Sequence, residues 1–223
     1  MIGIGKKKEK HTPHNLLITL IGGILVWLGW YGFNVGSAFT FDHIAMISFV
    51  NTVIGASAGA FGWLIFEYIL KKTTSLLGLL SGALSGLVAI TPAAGYVSYM
   101  SAMIIAIMGG ICCYIVINLI KVKLQYNDAL DAFGIHGVGG ILGAVFTGVF
   151  QSHQINSAVQ NGFIYTGDFK IVVIQLGAAI ATVVFSAIVT FLIARFIKIF
   201  TPLATTQEED KTGLDAIVHG EKA

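Results

Sequence analysis

The stretch DAFGIHGVGGILGAVFTGVF, Asp131–Phe150, decides the fold of this chain, because its 20 residues are mostly apolar and long enough to cross a bilayer. His136 is its one ionisable side chain beyond the first turn. On a regular helix of about 3.6 residues per turn, small side chains share the face of His136 and bulky ones lie opposite. The small group is Ala132, Gly139, Gly140, Gly143 and Thr147, and the bulky group is Val138, Ile141, Leu142, Val145 and Val149. A titratable group at membrane depth is costly, so this face predicts a close helix contact or a lumen.

The composition of the whole chain is that of an integral membrane protein. Of its 223 residues, 56% are hydrophobic and 11% are charged, and the mean hydropathy is +0.84. A soluble domain carries about 25% charged residues. The net charge of +2 is too small to predict a nucleic-acid partner. Cys112 and Cys113 are adjacent in an apolar run, which predicts packing residues rather than a disulfide or a zinc site.

Six apolar runs are long enough to span a membrane, so we predict an all-α, six-span membrane bundle. The third run ends in TPAAG, Thr91–Gly95, which predicts a helix that stops at membrane depth, covered by protein or a cavity. Glycines four residues apart predict close helix packing in three of the spans. The predicted spans are Leu16–Phe39, Ile44–Leu70, Leu76–Ile90, Ser98–Ile120, Asp131–Phe150 and Ile171–Phe200, and the glycine sets are Gly55/Gly59, Gly78/Gly82/Gly86 and Gly139/Gly143.

The positive charges fall almost entirely at one end of these spans. Twelve of the 13 Lys and Arg residues precede the first span, follow the second or the fourth, or lie in the closing part of the chain from Arg195 onward, and only Lys170 lies opposite. The positive-inside rule therefore predicts a multi-pass protein of the cell membrane with both termini in the cytoplasm. We divide the chain into a basic N-terminal segment (1–15), a six-helix membrane domain (16–200) and a cytoplasmic C-terminal tail (201–223).

The first span carries polar and aromatic residues on one helical face. Within WLGWYGFNVGSAF, the residues Trp30, Phe33, Asn34 and Ser37 follow the spacing i, i+3, i+4 and i+7. Aromatic rings beside a hydroxyl acceptor suit a small cation. The same pattern fits an aromatic belt at the outer interface, with Asn34 as a structural residue bonded between helices. The spacing favours neither interpretation.

His136 also has two interpretations. It lies in a lumen, which the small side chains around it favour, or it is a structural histidine bonded between helices. Asp128 and Asp131 precede its helix, which predicts N-capping and compensation of the helix dipole. The other histidines lack helical metal-ligand spacing, and the chain contains no P-loop, GxSxG or HExxH motif. We therefore predict no metal site, no cofactor and no enzymatic activity.

Four motifs together resemble the second half of the ammonium transporter family, in order and with similar spacing over essentially the whole chain. The tail motif is similar to the microbial and plant branch rather than to the Rhesus-type branch. The resemblance implies an inverted-repeat fold in which these six spans are helices six to eleven. It also implies transport of ammonium or ammonia for nitrogen uptake. The motifs are WLGWYGFNVGSAF (27–39), SGALSGLVAITPAAGYV (81–97), DAFGIHGVGGILGAVFTGVF (131–150) and GLDAIVHGE (213–221).

The resemblance implies roles for individual residues. Ser37 is similar to the hydroxyl that accepts a hydrogen bond from ammonium at the outer recruitment site, and Phe33 to one of two stacked phenylalanines that gate the pore. Trp30 resembles an indole that lines the lumen, and His136 one of the paired histidines at mid-pore. Thr91 resembles a position near the pore. We predict these five residues as the substrate path.

The resemblance further implies that the family's first five helices, with the second histidine and the second gating phenylalanine, are not in this chain. Three hypotheses follow: a truncated, split or fragmentary half of an ammonium transporter; a non-transporting remnant or regulatory subunit; or a small neutral-solute channel. The implied partners are ammonium or ammonia, the lipid bilayer, a complementary five-helix half, further copies in a homotrimer, and a PII-type cytosolic regulator at Thr201–Ala223.

Overall fold

The computed structural model describes residues 15–126, 128–206, 209 and 212–220. These residues contain no β-strand, and six of their helical segments are long and apolar enough to cross a membrane. Every end of these segments lies within four residues of the predicted bound, which confirms the six-span bundle. The α-helices of the described residues are α1 (Leu16–Asn34), α2 (His43–Lys71), α3 (Leu76–Ile90), α4 (Tyr99–Ile115), α5 (Lys121–Leu124), α6 (Val138–Phe150), α7 (Phe163–Thr166) and α8 (Lys170–Phe200).

The chain forms two compact units. The first spans residues 7–179, and its described part holds α1 to α7 and the beginning of α8. The second comprises residues 1–6 and 180–223, and its described part holds the rest of α8 and a π-helical turn, Asp215–His219. The lysines counted before the first span, and Glu221 of the tail motif, lie outside the described residues. The candidate site belongs wholly to the first unit.

Glycines allow α2, α3 and α4 to pack with their backbones in contact. A Cβ atom added at Gly59 would lie 2.6 Å from the Gly82 carbonyl oxygen, and one added at Gly110 would lie 2.9 Å from the Trp63 nitrogen. Such approaches require glycine, so the glycine sets of α2 and α3 are packing surfaces. The largest fully buried apolar side chains of the described residues are Tyr114, Leu87, Ile90, Ile105 and Val97.

Polar side chains begin the first four helices, as expected for N-caps. In each, the residue before the helix accepts a hydrogen bond from a backbone N–H three residues later, at Asn15, Asp42, Ser75 and Ser98. The Ala45 N–H and the Thr40 hydroxyl both donate to the Asp42 carboxylate, and these bonds lower the pKa of that carboxyl.

The third span ends in the predicted break. The α-helix stops at Ile90, and the chain turns through one 3₁₀ turn, Thr91–Ala93, before α4 begins. Ala93, Ala94 and Val97 are buried, so protein covers this irregular backbone. Covered backbone is the condition under which a helix can end at membrane depth.

The segment that carries His136 is not a regular α-helix throughout. It starts with a π-helical turn, Phe133–Gly137, and becomes α-helical at Val138. A π turn holds more residues than an α turn, so the regular spacing assumed for this segment fails where it matters for His136. The turn changes the direction of the His136 side chain relative to the helical residues that follow.

Asp128 caps this segment, and Asp131 has a different contact from the one predicted. The Asp128 carboxylate accepts hydrogen bonds from the N–H groups of Ala132, Phe133 and Gly134. The Asp131 carboxylate instead forms an ion pair with Lys121 at 2.6 Å. The capping prediction therefore applies to Asp128, while Asp131 ties the segment to α5.

Candidate functional site

A cavity of about 570 Å³ lies between α1, the end of α3 and the start of the His136 segment. Four of the five residues predicted for the substrate path line it, namely Trp30, Phe33, Thr91 and His136. The other lining residues are Val26, Gly29, Val88, Pro92 and Gly140. The walls are thus apolar apart from an indole N–H, a hydroxyl and an imidazole.

Hydrogen bonds fix the orientation of the Trp30 indole. Its Nε1–H donates to the Thr91 hydroxyl at 2.8 Å. The Thr91 hydroxyl in turn donates its hydrogen to the Leu87 carbonyl oxygen at 2.6 Å. The lone pairs of the Thr91 oxygen therefore remain available to accept the indole hydrogen. The break after α3 therefore positions an aromatic ring that belongs to α1.

The His136 ring stacks on the Trp30 indole. The ring centroids are 6.1 Å apart and the planes differ by 18°. His136 is exposed, and among the residues that the structure describes no hydrogen-bond partner reaches its ring nitrogens. This geometry favours the lumen interpretation over a histidine bonded between helices, because a structural histidine would use its nitrogens.

Phe33 lies in the last turn of α1, and Ser37 lies in the 3₁₀ turn that follows it, Gly36–Ala38. The Phe33 ring meets the Trp30 indole edge-on, at 6.3 Å and 74°, and 60% of the residue is exposed. Ser37 is exposed as well, and its hydroxyl donates to the Phe33 carbonyl oxygen at 2.7 Å. Ser37 does not line the cavity, so the structure joins it to the site only through Phe33.

Asn34 points away from the cavity. It is 7% exposed, and its Nδ2 donates to the Thr52 hydroxyl of α2 at 3.1 Å. The structure therefore divides the predicted polar-aromatic face: Trp30 and Phe33 face the cavity, while Asn34 bonds between helices.

The small-residue face of α6 serves mainly as a packing surface. Gly139, Gly143 and Thr147 are buried. A Cβ atom at Gly139 would lie 3.2 Å from Val88, and one at Gly143 would lie 2.9 Å from Pro92. Of the small residues that the sequence groups with His136, only Gly140 lines the cavity.

Sequence reasoning missed the cavity's apolar lining. Val26, Gly29, Trp30 and Phe33 follow the spacing i, i+3, i+4 and i+7, so extending the stripe one turn towards the N-terminus would have found the first two. Val88, near the end of α3, and Pro92, in the turn that follows, carry no comparable signal.

The arrangement suits a small cation that exchanges protons. A π-face attracts a cation that has lost water, and a hydrogen-bonded indole cannot turn away from it. The ring nitrogens of an imidazole can accept or donate a proton. The apolar remainder of the cavity favours a neutral molecule over a charged one.

Comparison with known proteins gives a consistent result along the whole chain. The sequence profile of the Ammonium Transporter Family matches residues 2–223. The ammonium transporter of Bacillus subtilis is 49% identical over 100% of this chain and 55% of its own length, and that of Aquifex aeolicus is 39% identical over 99% and 51%. The chain thus spans about half the length of the curated relatives it matches.

Solved structures show the same fold. The crystal structure of Candida albicans Mep2 superposes with a TM-score of 0.82 and 31% identity, and the match covers 92% of this chain and 46% of that one. A structure described as a sensor Amt protein superposes with a TM-score of 0.77 and 28% identity over 92% and 49%.

Proposed function

Because this chain belongs to the Ammonium Transporter Family, we propose that it contributes half of a path for ammonium and ammonia across the cell membrane. One observation carries the proposal: the Trp30 indole is held by Thr91 and stacked on His136 in an apolar cavity. The ring stack supplies a π-face at Trp30 and a proton acceptor at His136, and the cavity around it supplies apolar walls. These are the features that separating ammonium into ammonia and a proton would require.

Desolvation sets the order of the steps. Moving a bare cation into an apolar interior costs several kcal/mol even after relaxation, so the ion must lose its charge before it passes the apolar walls. We assign recruitment to Ser37 and Phe33 at the outer end of α1. We assign the discharge of the ion to the Trp30–His136 stack, where His136 takes up the proton and neutral ammonia continues. The proton then passes to the second histidine that the family resemblance implies in the complementary half, which returns His136 to its neutral form.

Hydrogen bonding supplies the selectivity in this scheme. Ammonium donates four hydrogen bonds, and an alkali cation of similar size donates none. A hydroxyl acceptor such as Ser37 and a basic imidazole such as His136 therefore distinguish the two ions, whereas the π-face attracts both.

The exposed cavity supports the proposal that a second half completes the path. Phe33 is 60% exposed and His136 is also exposed, so a covering surface would shield both rings. We assign that surface to a complementary five-helix half, within a homotrimer of the kind that the family resemblance implies. We also propose that both termini are cytoplasmic and that a PII-type regulator binds the tail, Thr201–Ala223.

Uptake of labelled methylammonium tests the function. The chain is expressed alone, and together with the N-terminal part of the Bacillus subtilis transporter, in cells without ammonium transporters of their own. We expect uptake from the pair, with at least a tenfold loss in Trp30→Leu on the scale of other positioning defects. Trp27→Leu is the matched control, since Trp27 shares α1 but does not line the cavity.

The alternatives give different results in the same assay. A pair that assembles in the membrane without any uptake would contradict transport and favour a regulatory subunit. Passage of neutral solutes by the chain alone, with no effect of Trp30→Leu, would favour a neutral-solute channel. Either result would overturn the proposed function.

A further inference from the structure

In the break after α3, four consecutive backbone carbonyl oxygens, from Ala94 to Val97, accept no hydrogen bond of the regular helical type. All four accept hydrogen bonds from outside the break. Asn51 donates to Ala94 and Val97, the Asn156 side chain donates to Gly95, and the Ser152 N–H donates to Tyr96. Unpaired carbonyls at membrane depth are costly, so these donors determine where the break can lie.

Asn51 provides two of these four bonds, including the shortest. It is completely buried in α2, and its Nδ2 lies 2.8 Å from the Ala94 oxygen and 2.9 Å from the Val97 oxygen. Its Oδ1 is buried with no partner in the described part of the chain. Turning the amide over would place that oxygen against two carbonyls, so both N–H groups are committed to the break.

The break connects the carbonyls that Asn51 holds to the cavity. Thr91 opens the 3₁₀ turn, three residues before Ala94. Its hydroxyl holds the Trp30 indole at 2.8 Å, and the indole stacks on His136. Asn51 itself does not line the cavity. Asn51 is therefore linked to the ring stack by its hydrogen bonds to the break, by the backbone from Ala94 back to Thr91, and by the hydrogen bond between Thr91 and Trp30. Asn51 does not touch the site directly.

We propose that Asn51 is a positioning residue for the Trp30–His136 stack. By fixing the carbonyls of Ala94 and Val97, it holds Thr91 where its hydroxyl can accept the indole hydrogen. This inference rests on the proposed function only in its account of what the stack does. Its test measures the exchange of the Trp30 indole hydrogen without ammonium, so the two proposals can fail separately.

The test follows the indole N–H signals of the ¹⁵N-labelled chain in detergent micelles by NMR. The chain has three tryptophans, and Trp27→Phe and Trp63→Phe assign them. In Asn51→Leu, which keeps the side chain's branched shape, we expect the Trp30 indole hydrogen to exchange about fivefold faster, the effect of about one net hydrogen bond. Its chemical shift should move towards that of Thr91→Val, in which the acceptor is absent.

Trp27 and Trp63 are internal controls. Trp63 shares α2 with Asn51, so a general loosening of that helix would accelerate its exchange too. Ser85→Ala is the matched variant, because Ser85 is equally buried and its hydroxyl donates to the Ser81 carbonyl oxygen of α3 rather than to the break. Unchanged exchange at Trp30 in Asn51→Leu, or equal acceleration at all three indoles, would overturn the proposal.

If Asn51→Leu does not fold, Asn156→Ala decides the question. Asn156 lies in the loop after α6, is half-buried, and donates to Gly95 at 3.3 Å. The longer bond predicts a smaller effect in the same direction, about a twofold acceleration at Trp30 alone. No change at Trp30 in that variant would overturn the proposal.

Discussion

Gly59→Ala will destabilise the bundle, because the added methyl group would meet the backbone of α3. A Cβ atom at this position would lie 2.6 Å from both the Gly82 carbonyl oxygen and the Gly86 nitrogen. Since ordinary van der Waals contact begins near 3.4 Å, α2 and α3 must separate by about 0.8 Å to admit it. Both opposing atoms belong to the backbone and cannot move aside by a rotamer change.

The size of the effect follows from that separation. A gap of about 0.5–1 Å loses a quarter to a half of the dispersion energy of each contact along the seam. Overpacking typically costs about 1–3 kcal/mol, and the rigid backbone contacts place Gly59→Ala at the upper end. A loss of about 3 kcal/mol in the free energy of unfolding corresponds to roughly 6–12 °C in Tm for a chain of this length.

Thermal unfolding in detergent, followed by circular dichroism, measures the change. Gly22→Ala is the matched control, because a Cβ atom at Gly22 of α1 would have no neighbour within 4 Å. The free energy of unfolding of the control should stay within about 1 kcal/mol of the wild-type value, because the only expected change is the higher helix propensity of alanine. A Tm for Gly59→Ala equal to that of the control would refute the close seam between α2 and α3.

Three further predictions concern polar contacts at or near the ends of the spans and use the same unfolding assay. Asp128→Ala removes the acceptor of three N–H groups and should lower the free energy of unfolding by about 2 kcal/mol. Lys121→Met leaves Asp131 without its ion pair and should cost about 1 kcal/mol. The Asp42 carboxyl has a pKa below its ordinary 3.8, so its cap stabilises α2 above that pH and is lost as the pH falls through the lower folded-state value. The Tm difference between the wild type and Asp42→Ala should therefore shrink in acid.

Controls for these predictions lie close by in the chain. Lys123→Met is matched to Lys121→Met, because Lys123 forms no ion pair within the described residues. If the two lysine variants have the same Tm, the Lys121–Asp131 pair does not stabilise the fold. A wild-type Tm for Asp128→Ala would contradict its capping role, and a pH-independent effect of Asp42→Ala would contradict the lowered pKa.

The spans and their packing surfaces could be predicted because they follow from local properties of the sequence. Length and hydropathy define where a helix can cross, and the TPAAG sequence marks where one must stop. Gly59 and Gly86 needed only their spacing to be identified as contact positions, and the structure places them in contact. Trp30, Phe33 and His136 stand out as polar or aromatic side chains in apolar surroundings, but only the family resemblance implied that they belong to a substrate path.

What the sequence did not predict depends on neighbours far along the chain. Phe33 and Asn34 are adjacent, and only the position of α2 decides that one faces the cavity and the other faces Thr52. Asn51 binds carbonyls 43 and 46 residues away, so no local pattern marks its role.

Coupled proton and ammonium movement through His136 tests the central claim most directly. Proteoliposomes containing the chain and the complementary half are given an inward ammonium gradient, and internal pH and ammonium are recorded together. The account predicts that His136→Ala slows both movements by about a hundredfold, the scale of a lost general acid–base group. His153→Ala, a loop histidine outside the cavity, should leave both unchanged. Equal rates and equal proton coupling in His136→Ala and His153→Ala would contradict the claim that the Trp30–His136 stack forms the path.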